Sequence, residues 1–229
     1  MNMPKRFRPL STKFKLIRFL WLIIFFPFIR KIRGFGNLLK DKAFIVASNH
    51  GSIMDGLLLT VYLSRPINRH LHYISKAKYY KNRLFRLLME TAENIKMEDG
   101  TPARALLVAL EYLRHGEIVA LFPEGTRSYD GKIRRAESGV AALALLAKVP
   151  VVPVGTLNTY KILPRGKLFL RYARCEINIG KALEFEEYYK AYDEAIQQKD
   201  QAKIKEIEET VLRRIMEEIA KLSNQEYPY

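Results

Sequence analysis

Near its start the chain carries eleven residues without a charge, FLWLIIFFPFI at positions 19–29, between Lys13, Lys15 and Arg18 on one side and Arg30, Lys31 and Arg33 on the other. At about 1.5 Å per helical residue this run covers roughly 16 Å, half of a bilayer core, so a straight helix of this length does not span. The small residues of a signal-peptide cleavage site are missing, because IRKIRGF follows. Two readings remain for residues 1–33. They form an interfacial helical segment, with apolar and aromatic side chains in the acyl boundary and cations on lipid headgroups, or the first helix of the core. One Trp and four Phe in so short a run, with positive charge at both ends, favour membrane docking.

Beyond this segment the pattern alternates between short β-branched runs and helical periods. Strands are predicted over residues 43–48, 70–75, 118–122, 151–155 and 168–179, and helices over 56–64, 78–91, 102–115 and 138–148, with two more after 184. The helix from 102 has a cap followed by proline, Thr101-Pro102, an apolar face of Leu106, Leu107, Leu110 and Leu113, and a stop at Gly116. In the last helix Ile204, Ile207, Val211, Ile215 and Ile219 recur at helical spacing, which suits packing on a sheet. Strand and helix alternate from 43 to 155, which predicts an α/β fold: a mixed, mostly parallel sheet flanked by helices. The expected division is a docking segment over 1–33 and an α/β domain with C-terminal helices over 34–229. Ligands of such sheets collect beyond the C-terminal ends of the strands.

With 229 residues, 48% of them hydrophobic, the chain is long enough for one such core. The single cysteine, Cys175, excludes an intrachain disulfide and leaves no C-x-x-C spacing, so a reducing, cytoplasmic setting fits. The net charge of +15 is uneven: residues 1–42 hold eleven Lys or Arg against one acid, whereas residues 181–229 hold eight against twelve. Basic patches serve nucleic acid or anionic membranes. Here the cations flank an aromatic apolar run, which points to an anionic membrane surface and away from nucleic acid.

Two strand ends carry residues with chemistry. After AFIVA, the loop SNHGSIMDG places His50 beyond a buried strand and Asp55 in the next helix. A neutral imidazole is a competent base near pH 7, and a turn through Gly51 and Ser52 brings the Asp55 carboxylate back to orient it. Without such a turn, Asp55 caps the helix and His50 is an idle loop residue. Ser52 is given a capping role, since G-x-S-x-G is absent and a serine two residues from its base rarely reaches that ring. The second loop, FPEGTRS, follows the strand EIVALF. Arg127 with Thr126, Ser128 and the amides at Gly125 makes a phosphate cradle, or else a surface turn with a Glu/Arg pair.

Together the loops identify a resemblance. NHGSIMD is similar to the N-H-x-x-x-x-D block, and FPEGTRS to the F-P-E-G-T-R-S block, of the lysophosphatidic acid acyltransferases, the 1-acyl-sn-glycerol-3-phosphate acyltransferase family, whose apolar-proline strand VPVVPV also resembles. The resemblance covers about residues 30–180. It implies that His50 takes the proton of a lysophospholipid hydroxyl as it attacks an acyl thioester, that Asp55 orients His50, and that Glu124, Gly125, Thr126 and Arg127 bind the glycerol phosphate. It also implies acyl-CoA or acyl-carrier protein as donor, a lysophospholipid as acceptor, phosphatidic acid as product, and a place on the cytoplasmic face of the cell membrane. No cofactor, no metal and no covalent acyl-enzyme are expected. Lys76 and Tyr80 fit the family's intervening basic, aromatic block, but its end departs: around Asp99 acids stand where the family has an arginine. Lys96 is the cation left there as a phosphate contact, and a different lysolipid headgroup is the alternative acceptor. His70 and His72 alternate on one predicted strand face. With no third ligand at useful spacing they are read as a half-exposed face, not a metal site.

Overall fold

The computed structural model describes residues 9–98, 100–167 and 169–229. Among these, seven strands form one sheet: β1 (Ile29–Arg33), β2 (Phe44–Ser48), β3 (His72–Lys76), β4 (Ile95–Met97), β5 (Ile118–Leu121), β6 (Val151–Leu157) and β7 (Cys175–Ile179). Their order is β1-β7-β6-β2-β5-β3-β4. From β6 to β4 every pair is parallel, β7 pairs antiparallel with β6, and β1 lies parallel to β7. The expected mixed, mostly parallel sheet is present.

Helices cover both faces: α1 (Thr12–Phe25), α2 (Met54–Ile67), α3 (Arg83–Thr91), α4 (Pro102–Arg114), α5 (Gly139–Ala147), α6 (Thr159–Ile162), α7 (Glu186–Gln198) and α8 (Gln201–Leu222). Because side chains alternate along a strand, β2 feeds two cores. Ile45 and Ala47 join the apolar sides of α4, α5, α7 and α8, while Phe44 and Val46 join those of α1 and α2. In α8, Ile207, Val211, Ile215 and Ile219 are buried at the predicted spacing, whereas in α4 Leu107 faces solvent and Leu110 and Leu113 are buried.

Several boundaries differ from the sequence reading. Residues 29–33, grouped there with the N-terminal helical segment, form an edge strand: after Pro27 the chain extends, Ile29 and Ile32 turn inward, and Arg30 and Arg33 pair with Glu176 at 3.3 and 2.5 Å. β4 is a three-residue strand too short to leave a periodic signal. The strand expected over 168–179 is Cys175–Ile179, with 169–174 outside the sheet and Leu168 outside the described residues. The helix expected from 78 starts at Arg83, after a 3-10 turn over Ala77–Lys81.

α1 packs on α2, burying Phe25 and Phe14, and leaves Leu16, Phe19, Leu20, Ile23 and Ile24 in solvent, with Phe26 exposed just beyond it. It therefore has one face in the core and an apolar face without a partner among the described residues. Among the described residues no helix is long and apolar enough to cross a membrane.

For the site, one register matters most. Ala47 of β2 stands opposite Leu121 of β5, so the loops that follow these two strands leave the sheet side by side.

Candidate active site

The loop after β2 holds its histidine from four sides. His50 Nδ1 lies 3.1 Å from Asp55 Oδ2, which also accepts the Ser52 amide at 2.7 Å. An ionised carboxylate only accepts, so Nδ1 carries the proton and Nε2 presents a lone pair. Asp55 sits in the first turn of α2, where a negative charge is favoured, and is fully buried. The imidazole stacks on Phe122 with centroids 3.9 Å apart. The His50 amide donates to Glu124 Oε1 at 2.8 Å, and its carbonyl accepts from the Ser128 amide at 2.8 Å. Among the described residues Nε2 has no partner, and the ring lines a cavity of about 550 Å3. The turn proposed through Gly51 and Ser52 thus exists, and of the two readings of His50 and Asp55 the structure brings the pair together. Ser52 faces away from the ring: its Oγ accepts from the Met54 amide at 3.2 Å and donates to the Leu163 carbonyl at 3.0 Å.

In the loop after β5, the members of the FPEGTRS motif separate into two kinds. Glu124 is 4% exposed, and its two oxygens accept from the backbone amides of His50 (2.8 Å) and Arg134 (3.0 Å). Burial pushes its carboxyl up to about 7, against the lowering effect of those two amides. With one amide on each oxygen it ties the two loops together, and it stands behind the cavity wall, apart from the glycerol-phosphate contact implied for it. Gly125 has φ +63°, and a Cβ there would come within 2.9 Å of Glu137 Oε1, so a side chain would be strained on both counts. Thr126 and Arg127 line the cavity, and the Arg127 guanidinium has no partner among the described residues.

Of the two lysines, Lys76 at the end of β3 lines the cavity, with no ion pair among the described residues. Lys96 is a correction: on edge strand β4 it pairs with Glu98 at 2.7 Å and lies over the Tyr80 ring, outside the cavity wall. It stands apart from the wall that Lys76, Thr126 and Arg127 share, so the phosphate contact expected of it is not formed there. Asp99 lies outside the described residues. His70 and His72 are buried, not half-exposed: His72 Nδ1 donates to the Glu93 carbonyl at 2.8 Å and its Nε2 faces Glu117 at 3.6 Å. Among the described residues no group of three or more His, Cys, Asp or Glu is placed to hold a metal. Cys175 is buried and its thiol is pushed up to about 12, mainly by burial, so it is inert.

One residue of the cavity wall escaped the sequence reading. Arg165, in the stretch that follows α6, donates from Nη1 to the Arg127 carbonyl at 2.8 Å and to Thr126 Oγ1 at 3.3 Å. The signal for it, LPRG between two strands, has no chemistry until the fold brings it across 38 residues to the motif.

Comparison with known proteins gives the same picture. The acyltransferase family profile matches residues 29–156. A chloroplast 1-acyl-sn-glycerol-3-phosphate acyltransferase of Arabidopsis thaliana is 30% identical over 167 residues, 70% of this chain and 46% of its own. The 1-acyl-sn-glycerol-3-phosphate acyltransferase of Bacillus subtilis is 26% identical over 155 residues, 67% of this chain and 73% of its own. The chain therefore spans about half the length of the chloroplast relative it matches. In three dimensions it resembles the crystal structure of the 1-acyl-sn-glycerophosphate (LPA) acyltransferase PlsC from Thermotoga maritima, with a TM-score of 0.66 and 26% identity, covering 86% of this chain and 79% of that one. Since the matched stretch takes in β1 to β6, both loops and more than half of the sequence, the chain belongs to the acyltransferase family.

Proposed function

We propose that this protein transfers an acyl chain from a thioester donor, acyl-CoA or acyl-carrier protein, to the free hydroxyl of 1-acylglycerol 3-phosphate, giving phosphatidic acid. The observation that carries the reading is His50: one nitrogen fixed on a buried carboxylate, the other open to a cavity whose wall also holds Arg127, Thr126 and Lys76. Relatives named as 1-acyl-sn-glycerol-3-phosphate acyltransferases support the choice of acceptor.

The steps balance without a covalent enzyme intermediate. His50 Nε2 takes the acceptor hydroxyl's proton as the oxygen attacks the thioester carbonyl. The tetrahedral intermediate then collapses, the C–S bond breaks, and the imidazolium returns the proton to the departing thiolate. Asp55 keeps the ring in the required tautomer and stabilises the imidazolium between the two transfers. Arg127, Thr126 and Lys76 hold the acceptor phosphate, and Glu124 acts indirectly by fixing the His50 amide to the phosphate loop. Shielding the thioester from water favours transfer over hydrolysis. The unpartnered apolar face of α1, between Lys13 and Lys15 on one side and Arg30 and Lys31 on the other, docks on the cytoplasmic face of an anionic membrane, from which the lysolipid enters.

The test is a panel of lysolipids and acyl donors, with free thiol followed in time and products identified by mass spectrometry. Thiol release should depend on lysophosphatidic acid and match phosphatidic acid formed. Thiol release at the same rate without acceptor would make the protein a thioesterase and defeat the reading.

A further inference from the structure

The segment 163–165 touches both motif loops. The Leu163 carbonyl accepts from Ser52 Oγ, and Arg165 Nη1 donates to Thr126 Oγ1 and the Arg127 carbonyl. The Arg165 guanidinium lies over the Tyr129 ring at 4.0 Å, and Arg134 approaches the same ring at 5.9 Å. These contacts occupy one nitrogen and one face of the guanidinium. Nε and Nη2 have no protein partner among the described residues, and the side chain lines the cavity that His50 and Arg127 also line.

We propose that Arg165 is a substrate-binding residue, the second guanidinium of an acceptor site built for a phosphate monoester, acting together with Arg127. The assignment rests on the acyltransferase reading above and extends it to a residue outside both motifs. Three observations converge on it. A phosphate monoester carries close to two negative charges and three acceptor oxygens at neutral pH, and of the two cations already placed on it Lys76 is a point charge, so Arg127 alone supplies a planar fork. The residue that the sequence offered as the other phosphate contact, Lys96, is paired with Glu98 and stands outside the cavity. Finally, Arg165 grips the backbone of the residue whose side chain it would assist, so the two guanidinium groups are held at a fixed spacing before any ligand arrives. Such preorganisation lowers the ordering cost of binding.

The pairing also specifies the class of headgroup. A choline or ethanolamine phosphodiester has one negative charge and would bring its cationic amine towards two guanidinium groups, a like-charge approach that a phosphate monoester avoids. The site therefore selects 1-acylglycerol 3-phosphate over zwitterionic lysolipids, although the family's arginine near position 99 is missing. Two carboxylates of the wall, Glu98 and Glu137, do not cancel this preference, because five cations, Arg18, Lys76, Lys78, Arg127 and Arg165, line the same cavity.

The experiment varies acceptor and donor separately in the full-length wild type and in Arg165→Gln, Arg165→Lys, Arg127→Gln and the double variant Arg127→Gln/Arg165→Gln, with lysophosphatidic acid and 1-monoacylglycerol as the two acceptors. Charge-assisted hydrogen bonds are worth enough for Arg165→Gln to raise the KM for lysophosphatidic acid about 10- to 100-fold, with the donor KM within about twofold. The kcat/KM ratio of lysophosphatidic acid to monoacylglycerol should fall by the same factor. Arg165→Lys, which keeps the charge and loses the fork, should lie between Gln and wild type. An unchanged ratio in Arg165→Gln would overturn the proposal, and so would a ratio in the double variant no lower than in Arg127→Gln alone, the result expected if Arg165 only braces Arg127. A KM effect confined to the donor would also overturn it. Thermal melts of the Gln and Lys variants exclude unfolding as the cause, because unfolded protein lowers kcat for both acceptors alike. If the wild type transfers to neither acceptor, the acyltransferase reading itself fails, which is a different result from an unchanged ratio in an active enzyme.

Discussion

Two histidine–carboxylate pairs stand at opposite ends of the same parallel strands. At the C-terminal end, His50 meets Asp55 at 3.1 Å, and at the N-terminal end His72 faces Glu117 at 3.6 Å. Both carboxylates are buried, and both rings pack against an aromatic side chain, Phe122 in one case and Tyr112 in the other. What separates the pairs is the second nitrogen. His72 gives Nδ1 to the Glu93 carbonyl and turns Nε2 to Glu117, and its side chain is 1% exposed, so neither nitrogen reaches a ligand. His50 gives one nitrogen to its carboxylate and keeps the other for a cavity. A histidine and an acid therefore meet the needs of the proposed chemistry only where the fold leaves a nitrogen free, and in an open parallel sheet that place is beyond the C-terminal strand ends. The N-terminal pair belongs to packing, alongside Arg69, which donates to the carbonyls of Lys40, Lys42 and Gly116.

The largest effect that would break this contrast comes from neutralising each carboxylate in turn. Asp55→Asn removes the acceptor that sets the tautomer and stabilises the imidazolium, and transfer should fall about 10²- to 10⁴-fold with the melting curve retained. Glu117→Gln should do the reverse. Its kcat stays within about threefold of wild type, while the loss of a buried charged contact costs about 1–3 kcal/mol, each kcal/mol being about 2–4 °C in Tm for a chain of this size. Equal kinetic losses in the two variants would erase the distinction between the pairs.

A smaller effect sharpens it. β5 has a buried glutamate at each end, Glu117 before it and Glu124 after it, and burial pushes the Glu124 carboxyl up to about 7 from its ordinary 4.5. Between these two values the folded state binds more protons than the unfolded one, so stability falls as pH rises from about 4.5 to 7 and is flat above. The slope is at most about 1.4 kcal/mol per pH unit. Glu124→Gln should remove this component, seen as a smaller decline in Tm from pH 5 to 7 than in wild type. An identical decline in the variant would show that Glu124 does not carry it.

Legibility in the sequence followed the range of the contacts. His50 and Asp55 could be read because five residues and one turn separate them, and β2 could be read because a strand buried on both faces is a continuous apolar run. The partner strand of β1 begins more than 140 residues later, and its IRKIR sequence looks like a flank of charge until Glu176 is placed beside it. Arg165 and Leu163 carry no pattern of their own and gain meaning only through contacts 38 and 111 residues away. Lys96 had the right charge in the right block, yet edge strand β4 sets it beside Glu98 and off the cavity wall, a placement that spacing alone does not reveal. The alternation of His70 and His72 was read as a half-exposed face, because burial of a strand's outer side depends on helix α1, whose Phe14 packs on His70 at 4.5 Å.

The most direct test of the central claim is phosphatidic acid formation from lysophosphatidic acid and an acyl thioester by the wild type and by His50→Ala, at saturating substrates and with folding checked by circular dichroism. If the free nitrogen of His50 is the base, the alanine variant should lose at least about 10²-fold in kcat while keeping its melting curve, in line with the worth of a positioned general base. Turnover by His50→Ala within about threefold of wild type would contradict the account.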